Sequence, residues 1–243
     1  MRDYLIFRLY GPLAAWGDIA VGEYRPSFAH PSKSAIIGLL AAALGIRRDE
    51  EERQQRLAES CSFAVRLDSM GILLRDYHTT QVPSARKGIT HYTRRSELAV
   101  EDQNTILSSR DYRCDAAYTV AICVTDAAPH TVQDLAAALK KPVFTLYLGR
   151  KSCPLALPLQ SQVVGAATLR EALEKSTFGD ELSDIISTKT ASVYWEDNSS
   201  SGLEQQQVIT RRDAPRSRKR WQFSERRENC GTMRKEEPPC TSA

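Results

Sequence analysis

Residues 116–124 constrain this chain more than any other stretch. Tyr118, Val120, Ile122 and Val124 alternate with Ala117, Thr119, Ala121 and Cys123, the period of two that defines a β-strand. One face is large and apolar. The other is small, so some element must pack closely against it. Residues 4–10 alternate in the same way, with Leu5, Phe7 and Leu9 against Tyr4, Ile6, Arg8 and Tyr10, and Gly11-Pro12 stops the run. Trp16-Gly17 and residues 22–26 read as an ordered loop. Residues 61–67 form another strand, with Cys61, Phe63, Val65 and Leu67 inward.

Helices separate these strands. Residues 35–45 are apolar almost all round, which predicts a buried helix, capped by Ser32 or Ser34 and ended by Gly45. Its amino end offers free N–H groups beside Lys33 and two serines, a setting suited to a phosphate. Residues 49–60 form a polar, solvated helix with Asp49 as its cap and a Glu52–Arg56 pair. Thr131 caps a helix through Leu139, Pro142 ends it, and the apolar run 143–148 reads as a strand. The order is strand, helix, strand, long insertion, strand, helix, strand. That is the βαββαβ unit of α+β, ferredoxin-like (RRM-like) folds, and such a fold does not by itself fix a function.

Composition narrows the classes. The chain has 243 residues, 42% hydrophobic and 26% charged, so it can bury a core. Its net charge of +3 does not announce a nucleic-acid binder, so any such reading rests on where the charge sits. Six cysteines lack any CxxC pair and four histidines lack HxH or HExxH spacing, which argues against zinc and leaves no cofactor implied. Arg2, Asp3 and Arg8 interrupt the apolar start, and the run 35–46 is too short to span a bilayer. A reduced cytoplasmic protein with no membrane partner is expected.

Two stretches carry chemistry. Between Arg75 and Arg95 lie Arg75, Arg86, Lys87, Arg94 and Arg95 against Asp76 alone, with Tyr77, His78, His91 and Tyr92 interleaved. Cations mixed with flat rings suit single-stranded nucleic acid, and an insertion this long is usually functional or disordered. The second stretch is Tyr147-Leu148-Gly149-Arg150-Lys151-Ser152-Cys153-Pro154-Leu155. Gly149 lets the backbone come close to a neighbour, and Arg150, Lys151 and Ser152 suit a phosphate backbone. The upstream glycines of a Walker loop are missing. His78 and His91 are candidate bases for a metal-independent ribonuclease, but no nucleophile, base and orienter can be read from spacing, so binding is favoured over catalysis.

After residue 155 the pattern weakens to a short helix at 168–175 and strands at 185–195 and 207–212 around a polar 198–202 loop. From residue 211 onward ten Lys or Arg face five Asp or Glu. The last fifteen or so residues read as mobile, and the basic tail as solubilising.

Several separated motifs resemble one family. They are Gly11-Pro12-Leu13-Ala14-Ala15-Trp16-Gly17, Arg25-Pro26, residues 31–45, Leu74-Arg75-Asp76-Tyr77-His78-Thr79, Arg110-Asp111-Tyr112-Arg113-Cys114-Asp115 and the Tyr147 to Leu155 stretch. In this order they resemble the CasD family, subunits of the type I-E CRISPR surveillance complex (Cascade) that hold the 5′ end of the guide RNA. Beyond about residue 160 the likeness is confined to Arg212-Asp213 and Trp221-Gln222-Phe223-Ser224. The resemblance implies a ferredoxin-like palm over 1–155 with a thumb-like β-hairpin inserted at 70–113. A small β-rich extension over 156–225 and a mobile basic tail over 226–243 complete the expected layout. The palm and thumb would clamp the 5′ handle of the crRNA, with CasC alongside, CasA below, and target DNA met through the assembled complex. By motif match, Arg110 and Tyr147 would touch handle nucleotides, and Arg150, Lys151 and Ser152 would hold phosphates with Ser32, Lys33 and Ser34. Trp16, Arg25, Arg75, Tyr77, His78, Tyr112, Arg113 and Gly149 complete the implied RNA-binding set. The resemblance further implies that in type I-E systems another subunit, CasE, cuts the precursor, and that this chain would stay bound without cutting. Relatives in type I-C systems do cut, which keeps Tyr77 and His78 as the residues of a runner-up endoribonuclease.

Overall fold

The computed structural model describes residues 1–20, 22–186, 190–196 and 201–234. In chain order the elements are β1 (Arg2–Tyr10), β2 (Leu13–Ala14), β3 (Tyr24–Arg25), α1 (Lys33–Ala43), α2 (Glu51–Ser60), β4 (Cys61–Ser69), β5 (Ile72–Pro83), α3 (Arg94–Leu98), β6 (Gln103–Cys114) and β7 (Ala117–Val124). They continue with α4 (Val132–Lys140), β8 (Gln162–Ala166), α5 (Leu169–Lys175), β9 (Thr190–Trp195), β10 (Gln207–Ser217) and β11 (Gln222–Arg234). The architecture is mixed α and β, mostly sheet.

The main sheet has seven strands in the order β10-β11-β9-β4-β7-β1-β8, with every neighbouring pair antiparallel. The alternation in β7 sorts its side chains as expected. Tyr118, Val120 and Ile122 join Leu5, Phe7, Leu9, Phe63 and Val65 in a core closed by α1, α2 and α4. Ala121, with Ala64, Tyr4 and Ile6, faces the opposite core, where Ala172 and Leu173 of α5 sit. The small face of β7 is therefore the seat of α5. Each large apolar side chain taken out of water here stabilises the fold by about 2 kcal/mol.

Ser32 caps α1 as expected, its hydroxyl accepting the Ala35 N–H at 3.1 Å. Thr131 and Thr168 cap α4 and α5. For α2 the cap position is Glu50, not Asp49, and it makes no side-chain cap bond. The Glu52–Arg56 pair is present at 2.7 Å.

Residues 143–148 do not form the expected strand. The N–H groups of Val143 and Phe144 instead donate to the carbonyls of Ala43 and Ala42 at 3.0 and 3.1 Å. The apolar run therefore satisfies the open carbonyls at the end of α1. The sheet edge next to β1 is supplied by β8, pairing from Arg2↔Ala166 to Ile6↔Gln162. A second correction concerns the carboxyl-terminal part. Residues 226–234, expected within a mobile tail, are most of β11, and Glu228, Asn229 and Met233 are buried. The strand expected from 185 begins at Thr190. Residues 198–200 of the expected polar loop and 235–243 of the expected tail lie outside the described residues.

Candidate nucleic-acid interface

The polar insertion is a long hairpin. β5 and β6 pair antiparallel without a break from Ile72↔Cys114 to Pro83↔Gln103; most of β5 is exposed, while β6 is largely half-buried, with Asp111 and Tyr112 buried at its base. At its base β3 runs parallel to β6, which sets Arg25 beside Arg110. The Asp111 carboxylate is buried there and accepts from Arg75 Nε at 2.9 Å and the Tyr24 hydroxyl at 2.6 Å. The Arg75 hydrogen bond holds the Asp111 carboxyl below its ordinary value against the opposing effect of burial. Arg75 also lies over the Tyr24 ring. Arg150 stacks over the Tyr112 ring at 4.7 Å and donates to the carbonyls of Asp111 and Arg25 at 3.3 and 3.2 Å. Arg113 donates to the Phe28 carbonyl at 3.4 Å. These bonds lock the hairpin base and spend much of Arg75, Tyr112, Arg113 and Arg150 on structure. Arg110 is different: its Nε is shielded from water and has no partner among the described residues.

The loop at 147–154 is closed on itself. Tyr147 bridges to Pro154, the Leu148 N–H donates to the Cys153 carbonyl at 2.8 Å, and the Cys153 N–H donates to the Arg150 carbonyl at 2.9 Å. Gly149 has φ +84°, and a Cβ there would lie 1.9 Å from the Ala15 carbonyl oxygen. The close approach anticipated for this glycine is thus to the chain's own 11–16 segment. Tyr147 remains 38% exposed, and Lys151 and Ser152 are exposed. Trp16 is 1% exposed and packs edge-on against Tyr118 at 5.4 Å, so its ring is a core element and is not free to stack on a base.

The amino end of α1 corrects a second expectation. The Lys33 N–H that would have met a phosphate donates to the Asp213 carboxylate at 2.9 Å, and Lys33 Nζ pairs with Glu196 at 2.8 Å. Ser32 is buried, and its hydroxyl lies 3.0 Å from that of Ser34. Behind this end is a buried ionic network. Arg226 bridges Asp213 and Glu228, and Arg211 and His30 reach the same Glu228 carboxylate at 3.3 Å each. The helix end is therefore already neutralised by the chain's own carboxylates.

What the sequence reading passed over is the basic end itself. β10 and β11 fold back as a hairpin across α1, and a groove of about 1250 Å³ opens between that hairpin, α1 and the Tyr147–Gly149 segment. Seven arginines line it against three carboxylates, with Tyr147, Trp221 and Phe223 among the ring side chains. Such a surplus of cations, with Tyr147 and Trp221 exposed and Phe223 half-buried, matches a single-stranded polyanion. The signal was present in sequence as the basic run from residue 211, which reads equally well as a solubilising tail until its strand pairing is known.

Tyr77 and His78 are successive residues of β5, so their side chains leave opposite faces of the hairpin. Tyr77 is 72% exposed, while His78 Nε2 lies 2.7 Å from the Asp76 carboxylate.

Comparison with known proteins gives the class. The chain belongs to the CRISPR-associated protein (Cas_Cas5) family, whose sequence model matches residues 4–228. It is 41% identical over 182 residues to the CRISPR system Cascade subunit CasD of Escherichia coli (strain K12), covering 71% of this chain and 76% of that one. Among solved structures it is similar to a chain of a CRISPR RNA-guided surveillance complex, with TM-score 0.67 and 27% identity over 99% of this chain and 93% of that one. It is also similar to a crystal structure of a Cas protein, with TM-score 0.63 and 28% identity over 97% and 100% of the two chains. Among the described residues no helix is long and apolar enough to cross a membrane.

Proposed function

We propose that this chain is a guide-RNA-binding subunit of a type I-E CRISPR surveillance complex and clamps the 5′ handle of the crRNA without cutting it. In this reading β1, α1, β4, β7, α4 and β8 are a ferredoxin-like palm, and the β5–β6 hairpin is its thumb. A CasC-type backbone subunit and a CasA-type large subunit are its neighbours. The observation that carries the reading is the arginine-lined groove that runs from the β10–β11 hairpin to Tyr147 and Arg150, next to the point where Arg25 and Arg110 lie side by side. Phosphate contacts from arginines position an RNA, and exposed rings and unpaired donors read its bases. The likeness to a Cascade subunit supports the same reading.

The test is incubation of the purified chain with labelled repeat RNA in EDTA, resolved on a gel. Intact RNA bound with a preference for the 5′ handle sequence is the expected result. Discrete cleavage that disappears in His78→Ala would replace the clamp with a processing nuclease.

A further inference from the structure

The turn joining β10 to β11 has a feature that packing does not explain. Trp221 has φ +58°, a left-handed conformation that is costly for a bulky residue and is retained where the surroundings enforce it. The strain does not bring the ring into a core, because Trp221 is 59% exposed. The ring is nonetheless held in place: the Arg48 guanidinium lies over it at 4.8 Å, and Phe223 meets it edge-on at 5.6 Å and 82°.

The charges around it are unbalanced. Among the described residues none of Arg48, Arg216, Arg218 and Arg220 has a carboxylate at ion-pair distance. Arg218 sits in a notch that α1 leaves open at Gly38, where an added Cβ would lie 2.9 Å from its Nη1. From there it donates to the Ser34 carbonyl. Burial, and then repulsion from Arg48, push the Arg218 guanidinium below its ordinary value. Two cations held near each other without an anion between them favour the arrival of one. An exposed indole beside two guanidinium cations, one of them over its face, is the composition of a nucleotide subsite. A protein partner would need to bring acidic groups to this place. An RNA strand already bound at Tyr147 and Arg150 brings its own, because the groove is continuous between the two places.

We propose that Trp221 and Arg48 form a subsite for one unpaired RNA nucleotide, whose base stacks on the indole while its phosphate is held by Arg48 and Arg218. The inference rests on the guide-RNA reading above and adds a specific base-reading position at the β10–β11 turn.

The test uses the full chain and a single-stranded RNA carrying the 5′ handle sequence, with a scrambled strand as control. Trp16 and Trp195 are buried at 1% and 3% exposed, so a change in tryptophan emission on binding reports Trp221. The expected result is emission quenching that disappears in Trp221→Phe. In Trp221→Ala the affinity falls about tenfold, the scale of one lost base–ring stack. Handle-selective binding with unchanged emission, or unchanged affinity in Trp221→Ala, overturns the subsite and leaves the guide-RNA reading standing. Equal binding of the handle and scrambled strands removes that reading and the subsite with it. Loss in Trp221→Ala of capture by a CasA-type or CasC-type subunit, with RNA affinity intact, assigns the turn to a protein neighbour and also overturns the subsite.

Discussion

Replacing Glu228 with glutamine tests the ionic network behind the groove. Glu228 is completely buried. Arg226 reaches its carboxylate at 2.5 Å, and Arg211 and His30 reach it at 3.3 Å. Burial alone would raise its pKa; His30, Arg211 and Arg226 outweigh burial and bring it from 4.5 down to about 2. A depressed carboxyl contributes stability that is complete above its unfolded value and is lost as pH falls through its folded one. The window is therefore pH 4.5 down to about 2, and the stabilisation lost across it is about 3 kcal/mol at roughly 1.4 kcal/mol per unit. Glu228→Gln removes that proton-linked part and leaves Arg211 and Arg226 under-compensated, at a cost of about 3–5 kcal/mol near neutral pH. Urea unfolding of both proteins, followed by circular dichroism from pH 7 to pH 3, measures the gap between them. The gap should be widest at pH 7 and narrow steadily below pH 4.5. A gap that stays constant with pH would refute the assignment of Glu228 as the ionised centre of the network.

Three further outcomes follow from the geometry. Arg110→Ala should lower guide-RNA retention by about 1–3 kcal/mol, the scale of a lost specific contact; complexes that assemble with normal guide content would contradict its placement. Lys151→Ala, at an exposed position, should weaken RNA binding and reduce the salt slope by about one, and an unaltered slope would mean that Lys151 faces only solvent. Gly149→Ala forces a Cβ against the Ala15 carbonyl at a positive φ, and strain of this kind costs about 1–3 kcal/mol. An unchanged urea midpoint for that variant would show that the 147–154 loop can relax away.

Local pattern made β1, β4, β7, α1, α4 and α5 legible, because periodicity and hydroxyl caps lie within a few residues of what they control. The sheet edge was not legible in this way. Residues 143–148 are as apolar as a strand, and nothing local says that their N–H groups will be spent on the end of α1. β8 is only five residues long and contains a glycine, so its signal is weak. The candidate site divides along the same line. The hairpin cations and the glycine loop stand out as residue types. The occupant of the α1 amino end is Asp213, 180 positions away, and pairing over such a separation has no local signature. The basic stretch from residue 226 reads as a tail because charge alone does not tell a solvated segment from a strand beside a groove.

The sheet order also has a consequence for when the protein becomes competent during its synthesis. Among the described residues β10 is the edge strand of the main sheet and pairs with β11, and β11 is anchored on β9 by residues 229–234. Asp213 and Glu228, which settle the charge at the amino end of α1, therefore take their places only after the last described strand has left the ribosome. A nascent chain halted before the β10–β11 hairpin has β1 to β9 and all five helices but no second wall for the groove. Completion of the groove is thus tied to the pairing of β11 on β9, the last step in chain order among the described strands.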